Sequence, residues 1–264
     1  MSRSPYLTAR LLHELDASLS DRDRQVLATL RRVRLATAVQ LERLHFADVT
    51  RRQSRQVLSS LADRRLVARL PRAVGGRRAG SAGYVYTLDV AGLRLTQVGR
   101  SRVARPWPVG PAFLAHGLAV TDLYVELMKR QRDGLLKVQT FATEPAAWRL
   151  FHGVGGARTI LKPDAFAVLR LGGFEDRWFI EVDRSTESLP TIARKCDVYR
   201  QYWQSGAEQA QTDVFPRVLW VVSGARRAEA VAEACAKQPA EAWRLFTVSV
   251  ASEAADRLVR GAAS

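Results

Sequence analysis

Apolar positions in the first hundred residues recur every three or four residues, broken by short capping signals. Ser20 precedes Asp21-Arg22-Asp23, and Val26, Leu27, Leu30 and Val33 then fall on one helical face. Thr37 opens a short helix through Val39, Leu41 and Leu44. Thr50 opens a third, Arg51 to Arg65, whose buried stripe is Val57, Leu58 and Leu61, continued by Leu66. The pattern then shifts to short extended runs. Leu66 to Leu70 and Tyr84 to Leu88 read as strands around a turn rich in Gly and Arg, residues 75–83. A short helix over Asp89 to Val98 follows. Pro106, Pro108 and Pro111 stiffen the next stretch and prevent helix, which places a domain boundary there.

Beyond that boundary Pro111 to Arg132 reads as a long helix ended by Asp133-Gly134. Leu136 to Phe141 reads as a strand, and residues 145–159, with three glycines, as a loop or weak strand. Ala165 to Leu171 and Trp178 to Asp183 are apolar runs around Gly172-Gly173, so they read as two paired buried strands. Leu189, Ile192, Cys196, Tyr199 and Trp203 give a strongly amphipathic helix. Val218 to Val222, Arg226 to Lys237 and Leu245 to Val250 close the domain as strand, helix and strand. The expected fold class is α+β: an N-terminal winged helix-turn-helix over residues 1–105, then an α/β domain with a mixed central sheet over 112–264.

The charge is unevenly placed. The formal net charge is +15. Residues 1–112 carry 21 basic against 8 acidic residues, leaving +13, and the remainder carries 20 against 18, leaving +2. A GC-rich coding bias would raise Arg everywhere and does not produce that asymmetry. A basic module joined to a near-neutral one suits a polyanion partner, double-stranded DNA above all. Thr50, Arg51, Arg52, Gln53, Ser54 and Arg55 stand at the start of the third helix, the end that enters the major groove in helix-turn-helix proteins. Arg and Gln there read base edges, and Ser54 and Thr50 hold phosphate. Arg72, Arg77 and Arg78 in the hairpin would reach the neighbouring backbone or minor groove. The plainer alternative is a solvated basic face.

Two distant cysteines, the lack of a signal-peptide pattern and the lack of a long apolar run predict a cytoplasmic protein without a membrane partner. The four histidines show no metal-ligand spacing.

The candidate chemistry lies in the second domain. Glu181 and Asp183, two apart on a strand, share a face. In a hairpin Asp164 enters the first strand at the end where Glu181 leaves the second, so three carboxylates are expected to meet. Crowded carboxylates raise each other's pKa, and Mg²⁺ relieves that repulsion through oxygen ligands. Lys195 lies on the inward side of the following helix and is expected to point at these acids. Tyr199 is read as core, and Arg226 and Arg227 as solvent-facing at a helix start.

Pro163-Asp164 and Glu181, on adjacent strands after a leading helix, resemble the PD-(D/E)xK nuclease fold. The resemblance implies Mg²⁺ on Asp164 and Glu181 and a water-orienting Lys two residues after the second acid. That position holds Asp183 here, and Lys195 or Lys162 would substitute; Glu126 or Glu144 would supply an extra acid. The longer pattern of Lys162-Pro163-Asp164-Ala165, Phe179-Ile180-Glu181-Val182-Asp183-Arg184, Arg194-Lys195 and Tyr199 behind a winged helix is similar to the replication-relaxation family. This similarity covers roughly residues 20–225. It implies plasmid or mobile-element replication and mobilisation, binding of a DNA site, and replication or mobilisation proteins as partners, with a homodimer left open. Three readings follow: a Mg²⁺-dependent endonuclease or nickase with Asp164, Glu181, Asp183 and Lys195 as its catalytic set; a binding protein on an inactive nuclease-like scaffold; and a winged-helix transcriptional regulator with a non-catalytic sensing or interaction domain.

Overall fold

The computed structural model describes residues 7–70, 84–97 and 110–261. The chain forms two compact units, Met1–Val125 and Glu126–Ser264. The fold is α+β, and its largest sheet is mixed and five-stranded.

In the first unit α1 (Ala9–Ala17), α2 (Asp21–Val33), β1 (Ala36–Thr37), α3 (Ala38–His45) and α4 (Arg51–Asp63) precede β2 (Val67–Leu70), β3 (Val85–Leu88) and α5 (Val90–Thr96). Three helices in succession start on the expected residues. Ser20, Thr37 and Thr50 each accept from the backbone N–H three residues on, and Asp23, Gln40 and Gln53 each accept from the capping residue's own N–H. These reciprocal bonds satisfy donors that a helix start leaves orphaned. Val26, Leu27, Leu30, Leu41, Leu58 and Leu61 are fully buried between the helices. Strands β1, β3 and β2 form an antiparallel sheet in that order. The turn expected to carry Arg72, Arg77 and Arg78 falls outside the described residues, as does the proline-rich stretch.

Helix α6 (Pro111–Arg132) has the expected bounds. The sequence reading assigns it to the second domain, yet its first turns pack with the first unit. Leu114 and Leu118 are buried with Leu35 and Val85, the Thr121 hydroxyl donates to the Leu35 carbonyl at 2.6 Å, and the Gln40 amide donates to Asp122 at 2.7 Å. Capping residue Gln40 is thus shared between the α3 start and α6.

The second unit continues with β4 (Lys137–Thr143), β5 (Arg149–His152), β6 (Arg158–Leu161), β7 (Ala165–Leu171), β8 (Phe174–Asp183), α7 (Leu189–Gln204), α8 (Gln209–Thr212), β9 (Arg217–Val222), α9 (Ala225–Ala236), β10 (Phe246–Val250) and α10 (Ala254–Arg260). The sheet order is β10-β9-β8-β7-β4. Strands β10, β9 and β8 are parallel, and β7 and β4 run antiparallel to their neighbours. Helices α7 and α9 pack together over one face of this sheet. Phe166, Phe179, Val218 and Trp220 from the strands meet Ile192, Cys196, Tyr199 and Tyr202 from α7 and Val231 and Cys235 from α9. Each such large side chain contributes ~1.5–3 kcal/mol when fully buried.

Residues 145–159, read from sequence as a loop or weak strand, contain β5 and the first two residues of β6, most of a separate hairpin. Strands β5 and β6 pair antiparallel from Arg149↔Leu161 to His152↔Arg158. Phe151 and Leu161 point into the core, with the Phe151 ring 4.9 Å from that of Tyr202. Arg149 donates to the buried Glu208 at 3.0 Å. One side of the hairpin is therefore anchored to the body of the unit.

Candidate functional site

Strand β8 occupies the middle of the large sheet, and its last residues carry the acids. Pairing of Ala165 with Ile180 places Asp164 opposite Glu181, one step beyond the ladder. The Asp164 N–H donates to the Ile180 carbonyl at 3.1 Å, and its Oδ2 accepts from the Val182 N–H at 2.7 Å. Asp164 is therefore fastened to the backbone on both sides of Glu181.

Glu181 is 1% exposed. Its Oε1 accepts from the Tyr199 hydroxyl at 2.7 Å and its Oε2 from Lys195 Nζ at 2.9 Å. Both donors come from α7, spaced four apart on its inner face. Burial first, and the Asp164 charge second, push the Glu181 carboxyl up to about 7 against the opposing pull of Lys195 and Tyr199. Burial pulls Lys195 down, but the Glu181 charge and the bonds to Glu187 and Glu181 outweigh it and hold the ammonium above its ordinary range. Lys195 also donates to Glu187 at 2.7 Å, which gives it a second carboxylate when Glu181 is neutral. The Tyr199 hydroxyl is raised well above its ordinary value by burial and by Glu181. It is a fixed donor at the site, a polar role added to the core packing expected of it.

Asp183 shares the face of Glu181, as its strand position requires, but takes a different partner. Its buried Oδ2 accepts from Arg227 Nε, and its Oδ1 from the Ser185 N–H at 3.0 Å. Arg227 also donates to the Glu187 carbonyl at 2.6 Å. The reading of Arg227 as solvent-facing is corrected: its side chain is 18% exposed and spans the site. Arg226, its neighbour, is exposed. The expected knot of three acids is thus two acids and a Lys, with the third acid paired to an arginine. Among the described residues no group of three or more His, Cys, Asp or Glu is arranged to hold a metal ion. Asp164 and Glu181 remain as a pair, and a hard divalent ion takes one or two carboxylates and fills its other positions with water and phosphate.

The other candidates separate. Glu126 pairs with Arg130 at 3.6 Å on α6. The Glu144 N–H donates to the Asp164 carbonyl at 3.2 Å, which keeps this residue beside the pair. Lys162 places its Nζ 5.0 Å from the centre of the Trp148 ring.

In the first unit Thr50, Arg51, Arg52, Gln53 and Arg55 are all exposed at the start of α4. Thr50 and Gln53 are tied to each other in the capping box, with the Thr50 hydroxyl 2.9 Å from Gln53 Oε1. Arg51 lies 3.9 Å from Glu42 with its side chain 79% exposed. Ser54 differs from expectation: it is 1% exposed and its hydroxyl donates to Glu42 at 2.7 Å. It faces α3, because position four of the helix turns inward where its neighbours turn out.

Among the described residues no helix is long and apolar enough to cross a membrane. No curated protein and no solved structure matches the chain. A family described as Replication-relaxation matches residues 27–218, a span that runs from α2 through the acids, Lys195 and Tyr199 to the start of β9. With most of its length matched, both units included, the chain belongs to the replication-relaxation family, which supports a role in plasmid or mobile-element replication.

Proposed function

We propose that this protein binds duplex DNA through its first unit and acts in the replication or mobilisation of a plasmid or other mobile element. The observation that carries the reading is the run of exposed Arg51, Arg52, Gln53 and Arg55 at the capped start of α4. Three helices followed by an antiparallel hairpin have the order of a winged helix-turn-helix, in which that helix start enters the major groove. The helix dipole there favours phosphate, and the three guanidiniums add charge-assisted bonds to phosphate or guanine. Replication and mobilisation proteins are the partners in keeping with the family.

For the second unit, a PD-(D/E)xK-like arrangement is supported by Asp164 and Glu181 on adjacent strands with Lys195 at 2.9 Å from the second acid. Asp164 and Glu181 would hold one Mg²⁺. Such an ion would supply a Lewis acid and an activated water for phosphodiester cleavage. To serve as a ligand Glu181 would have to be ionised and its Lys195 bond loosened, and the Tyr199 hydroxyl would hold its other oxygen. Lys195, kept charged by Glu187, would stabilise negative charge on the phosphate. A second reading, a scaffold that binds without cutting, is favoured by the pairing of Asp183 with Arg227 where nucleases of that fold carry a Lys.

Fluorescence anisotropy on duplexes selected from a random pool tests the binding. Affinity is expected to fall steeply with salt, and replacing Arg51, Arg52 and Arg55 by Ala together is expected to flatten the log–log slope by about 0.9 per lost phosphate contact. A slope unchanged by all three replacements would remove the reading. Incubation of the selected duplex with Mg²⁺ or Mn²⁺ divides the two readings of the second unit. Nicking lost in Asp164→Ala with binding retained supports cleavage, and intact DNA supports the scaffold.

A further inference from the structure

The β5–β6 hairpin has two faces of opposite character. Arg149, Phe151 and Leu161 turn inward. The other face, continued by one residue at the open end, carries Trp148, Leu150 and His152 from one strand and Lys162, Ile160 and Arg158 from the other. All six are exposed. Leu150 and Ile160 are cross-strand partners at 53% and 47% exposure, and Arg158 is the partner of His152. Lys162 Nζ lies over the ring of Trp148, a residue 36% exposed. A sheet face normally sends polar residues to water. This one shows an indole and two aliphatic side chains, flanked by a cation at each end and with no acid among the six.

We infer that the outer face of the β5–β6 hairpin, from Trp148 and Lys162 to His152 and Arg158, is a binding surface for single-stranded DNA. The chemistry favours that occupant over a protein surface. Cations at both ends of a short apolar platform match a strand whose phosphates alternate with apolar base faces. An ammonium beside an indole supplies, at one point, a partner for a phosphate and a platform for a base. Lys162 is followed by Pro163 and then Asp164, so a strand laid on the hairpin is led toward the acid pair. The anchoring of Phe151 and Arg149 into the core keeps the platform fixed.

The inference rests on the reading of this protein as DNA-binding, but on different residues from those that would hold duplex. The full-length protein is titrated, in EDTA to prevent cleavage, into a labelled single-stranded oligonucleotide of mixed sequence and, separately, into the selected duplex. Trp148→Ala and the double variant Arg158→Glu/Lys162→Glu are each expected to weaken single-strand binding about ten-fold, with duplex affinity unchanged. Trp148→Phe is expected to retain most of the affinity, which separates stacking from damage to the fold. Single-strand binding lost through Trp148→Ala in a protein with no duplex affinity would leave the hairpin surface standing and remove the duplex reading. Single-strand affinity equal in wild type and both variants overturns the proposal. So does a dimer in sedimentation that Leu150→Asp dissolves while single-strand affinity stays unchanged, because the face would then be covered by a second copy.

Discussion

Arg227, at the start of α9, binds the carboxylate of Asp183, at the end of β8, and that carboxylate is shut off from solvent. A buried carboxylate stripped of its one ionic partner keeps its desolvation cost without its compensation. Arg227→Ala is therefore expected to cost about 3 kcal/mol in urea unfolding. Asp183→Asn/Arg227→Ala is expected to cost less than the two single changes added together. Strict additivity in this cycle would mean that the pair does not act as one.

Glu181 gives the stability a pH dependence of a definite sign. Its folded carboxyl stands at about 7 against an ordinary 4.5. Below 4.5 both folded and unfolded chains hold the proton and the contribution is complete. Between 4.5 and 7 only the folded chain holds it, so stability falls as pH rises, by at most about 3 kcal/mol from this group. Lys195, held above its ordinary 10.5, titrates outside this window. Glu181→Gln is expected to flatten the profile of unfolding free energy against pH and to gain on the wild type above pH 7. Parallel profiles for the two proteins would contradict the assignment.

Ser54 separates a structural role from a contact role within the α4 start. Its hydroxyl is buried against Glu42. Ser54→Ala is expected to destabilise the first unit by about 1–2 kcal/mol, leaving a half-buried carboxylate short of a donor, with DNA affinity unchanged. A loss of affinity without loss of stability would return Ser54 to the phosphate-binding set.

Gly92 in α5 lies against the backbone of Leu66, the residue just before β2. A Cβ at this position would come within 2.0 Å of the Leu66 carbonyl oxygen, and that carbonyl already accepts from the Asp89 N–H at 3.1 Å. Neither partner is a flexible side-chain end. Gly92→Ala is expected to cost about 3 kcal/mol or more, read as a fall in melting temperature. A neutral substitution would show that α5 shifts freely.

Most of what is local in this chain can be read from its residues. Ser20, Thr37 and Thr50 announce helices because a cap acts over three residues. The spacing of Ile192, Cys196 and Tyr199 announces α7 because burial repeats with the helix. The facing of Glu181 and Asp183 follows from strand parity. Their partners do not. Arg227 lies 44 residues beyond Asp183, and nothing at Ala225-Arg226-Arg227 distinguishes the inward arginine from the outward one until α9 is laid on the sheet. The β5–β6 hairpin is not legible for another reason. Its exposed face carries Trp148, Leu150 and Ile160, so the polar–apolar alternation that marks a half-buried strand is missing. Ser54 turns inward although the four polar residues around it all face out. Only the helical angle, with Leu58 and Leu61 as reference points on the same side, turns it inward.

The packing of Leu114, Leu118 and Thr121 onto Leu35 has a practical bearing on dissection of the molecule. The proline-rich stretch looks like the natural place to cut, yet a fragment ending there would bare Leu35 and Val85 and strip Gln40 of its partner carboxylate. A trimmed first unit should therefore keep the whole of α6, down to Arg132, and should lose solubility when that helix is removed.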